Sequence, residues 1–132
     1  MLNFEGVISS GLQKAGDFIK LDVYKSQYEE KLGFMPFAGT LNIKLKDDIE
    51  IDIENEHSGN LQKIDGNDDY GDVFFLFAQI TDLKNNITKS GAILFPIKSV
   101  YTTNTLEFVC EDNLRQCMDL EDDDEVILEI KN

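Results

Sequence analysis

The feature that most constrains this chain is its rhythm: short β-prone runs follow one another, broken by turn residues, with little helical periodicity between them. Eight runs stand out, at residues 4–9, 17–23, 40–45, 49–53, 73–83, 92–95, 105–110 and 125–130. Strict alternation of apolar and polar letters in IEIDIE and EVILEI is the pattern of strands with one buried face. Many short strands without crossover helices predict antiparallel pairing, and closing the sheet removes its unpaired edges. The expected fold is therefore mainly β, a small closed or nearly closed antiparallel barrel formed by residues 1–132 as a single domain.

Two helical segments interrupt the strands. In the first, Tyr24, Tyr28 and Leu32 recur every four residues, and Gly33 offers a left-handed stop. The second is short, with Asp112 expected as N-cap for residues 113–118. Residues 55–72, NEHSGNLQKIDGNDDYGD, are polar and glycine-rich and read as a loop or flap. The acidic LEDDDE reads as a solvated turn entering the last strand.

Charge excludes several functions. With 12 Lys and Arg against 26 Asp and Glu, the net charge is −14, so a general nucleic-acid binder, which needs clustered cations, is disfavoured. The N-terminus lacks a basic start followed by an apolar core, and no apolar run approaches the ~18 residues of a spanning helix. The expectation is a cytoplasmic, monomeric protein that engages neither membrane nor nucleic acid. Cys110 and Cys117 have neither zinc-site spacing nor a neighbouring histidine and read as free thiols. A single histidine, His57, leaves a His-based triad or metal cluster without its parts.

Three segments can carry chemistry. In SGLQKAGDF, two glycines at 11 and 16 lie between strands, where such a loop can turn its N–H groups toward a phosphate. The loop is not a Walker A sequence, and an ordinary hairpin has the same letters. In LGFMPFAGTLNIKL, Thr40 and Asn42 are two apart on a strand and share a face. Together they present a hydroxyl and an amide oxygen of the kind magnesium accepts beside phosphates; outward polar residues of no function read identically. In SVYTTNTLEFVCEDNLRQ, Glu107 sits inside an apolar strand, and Arg115, the one arginine, falls on the first turn of the short helix. There an anion would meet N–H donors, whereas an exposed ion pair is the plain alternative.

Read in order, GVISSGLQKAGDFIKL, LGFMPFAGTLNIKL, GAILFPIKS, LEFV and NLR resemble the archaeal CTP-dependent riboflavin kinases over nearly the whole chain. The resemblance implies a six-stranded cradle-loop barrel related to the riboflavin synthase and bacterial flavokinase barrels, with riboflavin and CTP as substrates and Mg2+ as cofactor. It places Gly11, Leu12, Gln13, Lys14, Ala15 and Gly16 around the cytidine nucleotide phosphates, with Asp112, Asn113, Leu114 and Arg115 as further nucleotide contacts. It gives Thr40 and Asn42 to the metal, Ser99 and Glu107 to the flavin, and makes Glu107 the candidate catalytic carboxylate. Ser99 stands where threonine is typical, and Gln13-Lys14 where Gly-Glu is frequent. The competing expectation from another class is a non-catalytic flavin- or nucleotide-binding regulatory barrel; an ATP-using flavokinase would differ by nucleotide preference.

Overall fold

The computed structural model of the protein describes residues 2–9, 27, 29–34, 41–52, 61–66, 72–95 and 101–130. Seven strands lie within them: β1 (Leu2–Ser9), β2 (Leu41–Ile51), β3 (Gln62–Ile64), β4 (Val73–Asp82), β5 (Ile87–Phe95), β6 (Tyr101–Val109) and β7 (Glu125–Ile130). One short helix, α1 (Leu114–Cys117), connects β6 to β7. Every pairing is antiparallel, in the order β3-β4-β5-β6-β2-β1-β7.

Closure comes from β4, whose one free edge is divided between two partners. Its first residues, Val73 to Phe75, pair with β3, while Ala78 to Asp82 pair with β7. The result is a closed six-stranded barrel with β3 as an added strand, as expected. The separate runs expected at 40–45 and 49–53 are parts of one strand, β2, whose register against β6 shifts between Lys44 and Ile49. Exposed Asp47 and Asp48 occupy that irregularity, which bends the strand without ending it.

The alternation read from the sequence sorts side chains into two layers. Leu41, Ile43, Leu76, Ile93, Phe95, Leu106, Phe108, Val126 and Leu128 point inward and form the barrel core. On the outer side of β4, β5 and β6 lies a second apolar cluster, Phe75, Ala92, Leu94 and Val109, covered by Leu32 and by Ile64 of β3. Gly91 to Phe95 is consequently buried without interruption, so a half-exposed strand is not what GAILF forms. The expected 55–72 flap is corrected in its middle, because Ile64 is fully buried and draws β3 onto β4. An apolar letter inside a polar run was the available signal.

Residues 29–32 are helical, and Gly33 follows with φ 82° while its N–H bonds the Glu29 carbonyl at 3.1 Å, so the expected left-handed stop is observed. The second helix is shorter than expected. Asn113, not Asp112, is the extended N-cap residue, and it makes no side-chain capping bond. Asp119, in the left-handed region at φ 52°, turns the chain just beyond Met118. Buried Asp82 closes the β4–β5 turn by accepting from the Lys84 and Asn85 N–H groups at 2.9 and 3.3 Å.

Candidate functional site

The outer face of the barrel carries a row of residues aligned by register across five strands. Phe75 of β4 pairs with Leu94 of β5, Leu94 with Glu107 of β6, Glu107 with Asn42 of β2, and Asn42 with Ser9 of β1. Directly paired antiparallel residues share a face, with Cβ atoms about 4.5–5.5 Å apart. One end of the row is therefore apolar, its middle holds a carboxylate and an amide, and its other end is the last residue of β1. Residues 10–16 begin there. Two sequence candidates far apart in the chain, Asn42 and Glu107, thus stand side by side.

Asn42 is the anomaly of this row. It is only 4% exposed, although it points away from the barrel core, and its Nδ2 has no hydrogen-bond partner among the described residues. An unpaired buried amide N–H costs about 1–3 kcal/mol, which marks Asn42 as a candidate ligand contact of this row. A neutral amide oxygen fits magnesium, which takes few protein ligands and keeps water and phosphate oxygens as the others. Among the described residues no group of three His, Cys, Asp or Glu side chains could grip a metal alone. A metal here would need oxygen atoms from outside these residues to complete its shell. Thr40 lies outside the described residues.

The Phe75 and Leu94 end of the row is apolar. Phe75 and Phe77 contact edge-to-face with centroids 5.4 Å apart, and half-buried Phe34, Val73 and Phe77 border the second cluster. Glu107 is half-buried at the boundary of that cluster and is not without a partner. Ser99 lies outside the described residues.

At the other end, α1 and the acidic turn hold the end of β1. The Arg115 Nη2 donates to Asp122 Oδ1 at 2.7 Å and, at 3.4 Å, to the Ser9 carbonyl. The Ile8 N–H donates to the Asp124 carbonyl at 2.9 Å, and the Asp123 N–H to the Ile8 carbonyl at 2.8 Å. Arg115 is thus placed at the end of β1, but as half of an ion pair. Asp112 is exposed and faces Lys89 at 3.9 Å. Leu114 is buried in the barrel core, so only its main chain can face a ligand. The four-residue α1 is too short for a useful macrodipole, which removes the helix-terminus support expected for an anion. Residues 11–16 lie outside the described residues.

The acidic turn carries its own ties. Lys84 Nζ reaches Asp124 Oδ2 at 3.0 Å and the Asp119 carbonyl at 2.9 Å. The Glu121 N–H, and then Lys84, hold the Asp124 carboxyl below its ordinary range. Both cysteines are free; burial pushes the Cys110 thiol up, and Cys117 is exposed.

Fold and site together define a small antiparallel barrel with a row of paired residues on its outer face, polar at one end and apolar at the other. The family model for the CTP-dependent riboflavin kinases, a domain described as DUF120, matches residues 8–130. The chain is 53% identical over 131 residues to a riboflavin kinase of Methanosphaera stadtmanae, covering 99% of each chain. It is 40% identical to a riboflavin kinase of Methanothermobacter thermautotrophicus over 93% of this chain and 94% of the other. For one of Methanobrevibacter smithii the identity is 31%, over 97% and 99%. The chain belongs to the CTP-dependent riboflavin kinase family. No helix among the described residues is long and apolar enough to cross a membrane.

Proposed function

We propose that this protein phosphorylates riboflavin, using CTP and magnesium, to give FMN and CDP. The observation that carries the reading is the row across the barrel: apolar Phe75 and Leu94, then Glu107, then Asn42, then the end of β1. A flavin ring needs an apolar wall, its ribityl hydroxyl needs a proton acceptor, and a triphosphate needs metal and amide donors. The row supplies sites for these needs in that spatial order.

In this assignment the ribityl 5′-hydroxyl lies beside Glu107 and the γ-phosphoryl beside Asn42. The hydroxyl oxygen forms a bond to the γ-phosphorus as the bond from that phosphorus to the β,γ-bridging oxygen breaks. The proton passes to the Glu107 carboxylate, and CDP leaves with the bridging oxygen. Held next to the phosphates by Asn42 and Thr40, magnesium would supply charge neutralisation to the leaving diphosphate. Most of the acceleration is positioning and charge stabilisation, because the transfer needs little covalent chemistry from the protein. Family membership supports cytidine as the base, while Gly11 to Gly16 and residues 112–115 are the proposed contacts to that nucleotide.

The test is purified protein with riboflavin and magnesium, given CTP or ATP separately, with FMN followed by chromatography. FMN from CTP and little from ATP is expected, and EDTA should abolish it. FMN from ATP alone would overturn the nucleotide assignment. Folded protein that binds riboflavin without turnover on either nucleotide would make it a regulatory barrel.

A further inference from the structure

The chain has more than two acids for each cation, so a lysine without an acidic or hydrogen-bonded partner is unexpected. Most described cations are engaged: Lys46 with Glu5, Lys63 with Asp65 and Asp72, Lys84 with Asp124, Lys89 with Asp112, and Arg115 with Asp122. Lys31 donates to the Lys63 carbonyl. Among the described residues Lys44 alone has no partner.

Its position is specific. Lys44 is two residues beyond Asn42 on β2 and so projects on the same outer face, where it is exposed. The residues paired with it are neutral, Val7 on β1 and Thr105 on β6. Since Asn42 pairs with Glu107, Lys44 lies on the diagonal from Glu107, a separation of about 7–8 Å that long side chains span. The unpartnered ammonium therefore neighbours a buried amide whose Nδ2 has no partner among the described residues, and both stand beside the carboxylate. A ligand bearing concentrated negative charge and oxygen acceptors answers both groups at once.

Building on the proposed kinase reading, we infer that Lys44 is a phosphate-binding residue of the nucleotide site. Its ammonium turns back along β2 onto the polyphosphate held at Asn42, and it is left unpaired by the fold because the nucleotide is its partner. Arg115 must give up Asp122 to do the same, and the global field of a −14 chain repels CTP, so a free local cation has the larger effect. In the transition state the same ammonium offsets charge on the oxygens of the transferring group.

Lys44 is exposed, so its substitution leaves the core intact. CDP binding should be measured calorimetrically at low salt, with and without magnesium, for wild type, K44R, K44Q and K44E, with K46Q as a control for a nearby lysine already paired. Charge-assisted contacts predict about tenfold or greater weakening of CDP binding in K44Q, more in K44E, and partial rescue in K44R. K46Q should stay within about twofold, and riboflavin affinity should be unchanged throughout, as expected for a screened surface pair. CDP affinity in K44Q within twofold of wild type would overturn the role of Lys44 and leave the kinase reading standing. Wild-type protein that binds riboflavin but no CDP would overturn both.

Discussion

Replacing Gly91 by alanine tests whether barrel closure and the proposed ligand row are mechanically joined. Gly91 lies on β5 opposite Ala78, and a Cβ there would come 2.1 Å from the Val109 carbonyl oxygen and 2.7 Å from Phe108 Cζ. Ordinary C···O approaches are about 3.3–3.6 Å, so β5 and β6 must separate by about 1 Å. Alanine gains about 0.5–1 kcal/mol over glycine by restricting the unfolded chain. Forced overpacking costs about 3 kcal/mol at the upper end of its usual range, so strain wins by about 2 kcal/mol. At a urea slope of about 1.5 kcal/mol/M, the unfolding midpoint should fall by about 1 M with unchanged slope. Among the described residues three register pairs join β5 to β6, and Leu94 with Glu107 is one of them. Turnover of the folded variant should therefore drop as well, a loss that a clash remote from the site would not produce. An unchanged or higher midpoint would refute the close approach, and lost stability with full turnover would refute its coupling to Glu107.

Three further outcomes follow from the geometry. Glu107→Gln should lower kcat by about 10²–10⁴-fold with riboflavin affinity nearly unchanged, and full turnover would remove Glu107 as proton acceptor. Asn42→Leu should raise the unliganded protein's stability by about 1–2 kcal/mol in urea, because a buried unpaired Nδ2 disappears, while FMN formation collapses; a less stable variant would show that Nδ2 is paired in solution. The Asp124 carboxyl is held below its ordinary 3.8, first by the Glu121 N–H and then by Lys84, so its contribution exists above that value and disappears as pH falls through the lowered one. The stability gap between wild type and Asp124→Asn should thus be level from about pH 5 to 8 and close below about pH 4; a gap that widens in acid would contradict the sign.

Period-two alternation determined the strands and their inward faces, since burial of one face requires it: Ile43 and Leu128 were legible as core from their neighbours alone. Gly33 was legible as a helix stop, because few residues other than glycine tolerate its positive φ. The candidate letters Asn42 and Glu107 could also be named from the chain, largely through resemblance. Only the tertiary structure decided that they face each other, because register between β2 and β6 joins residues 65 positions apart and no local preference encodes it. The second apolar layer, the partnership of Arg115 with Asp122 and the solitude of Lys44 were likewise invisible. Whether a charge is paired depends on which strands lie beside it, and barrel closure sets those neighbours.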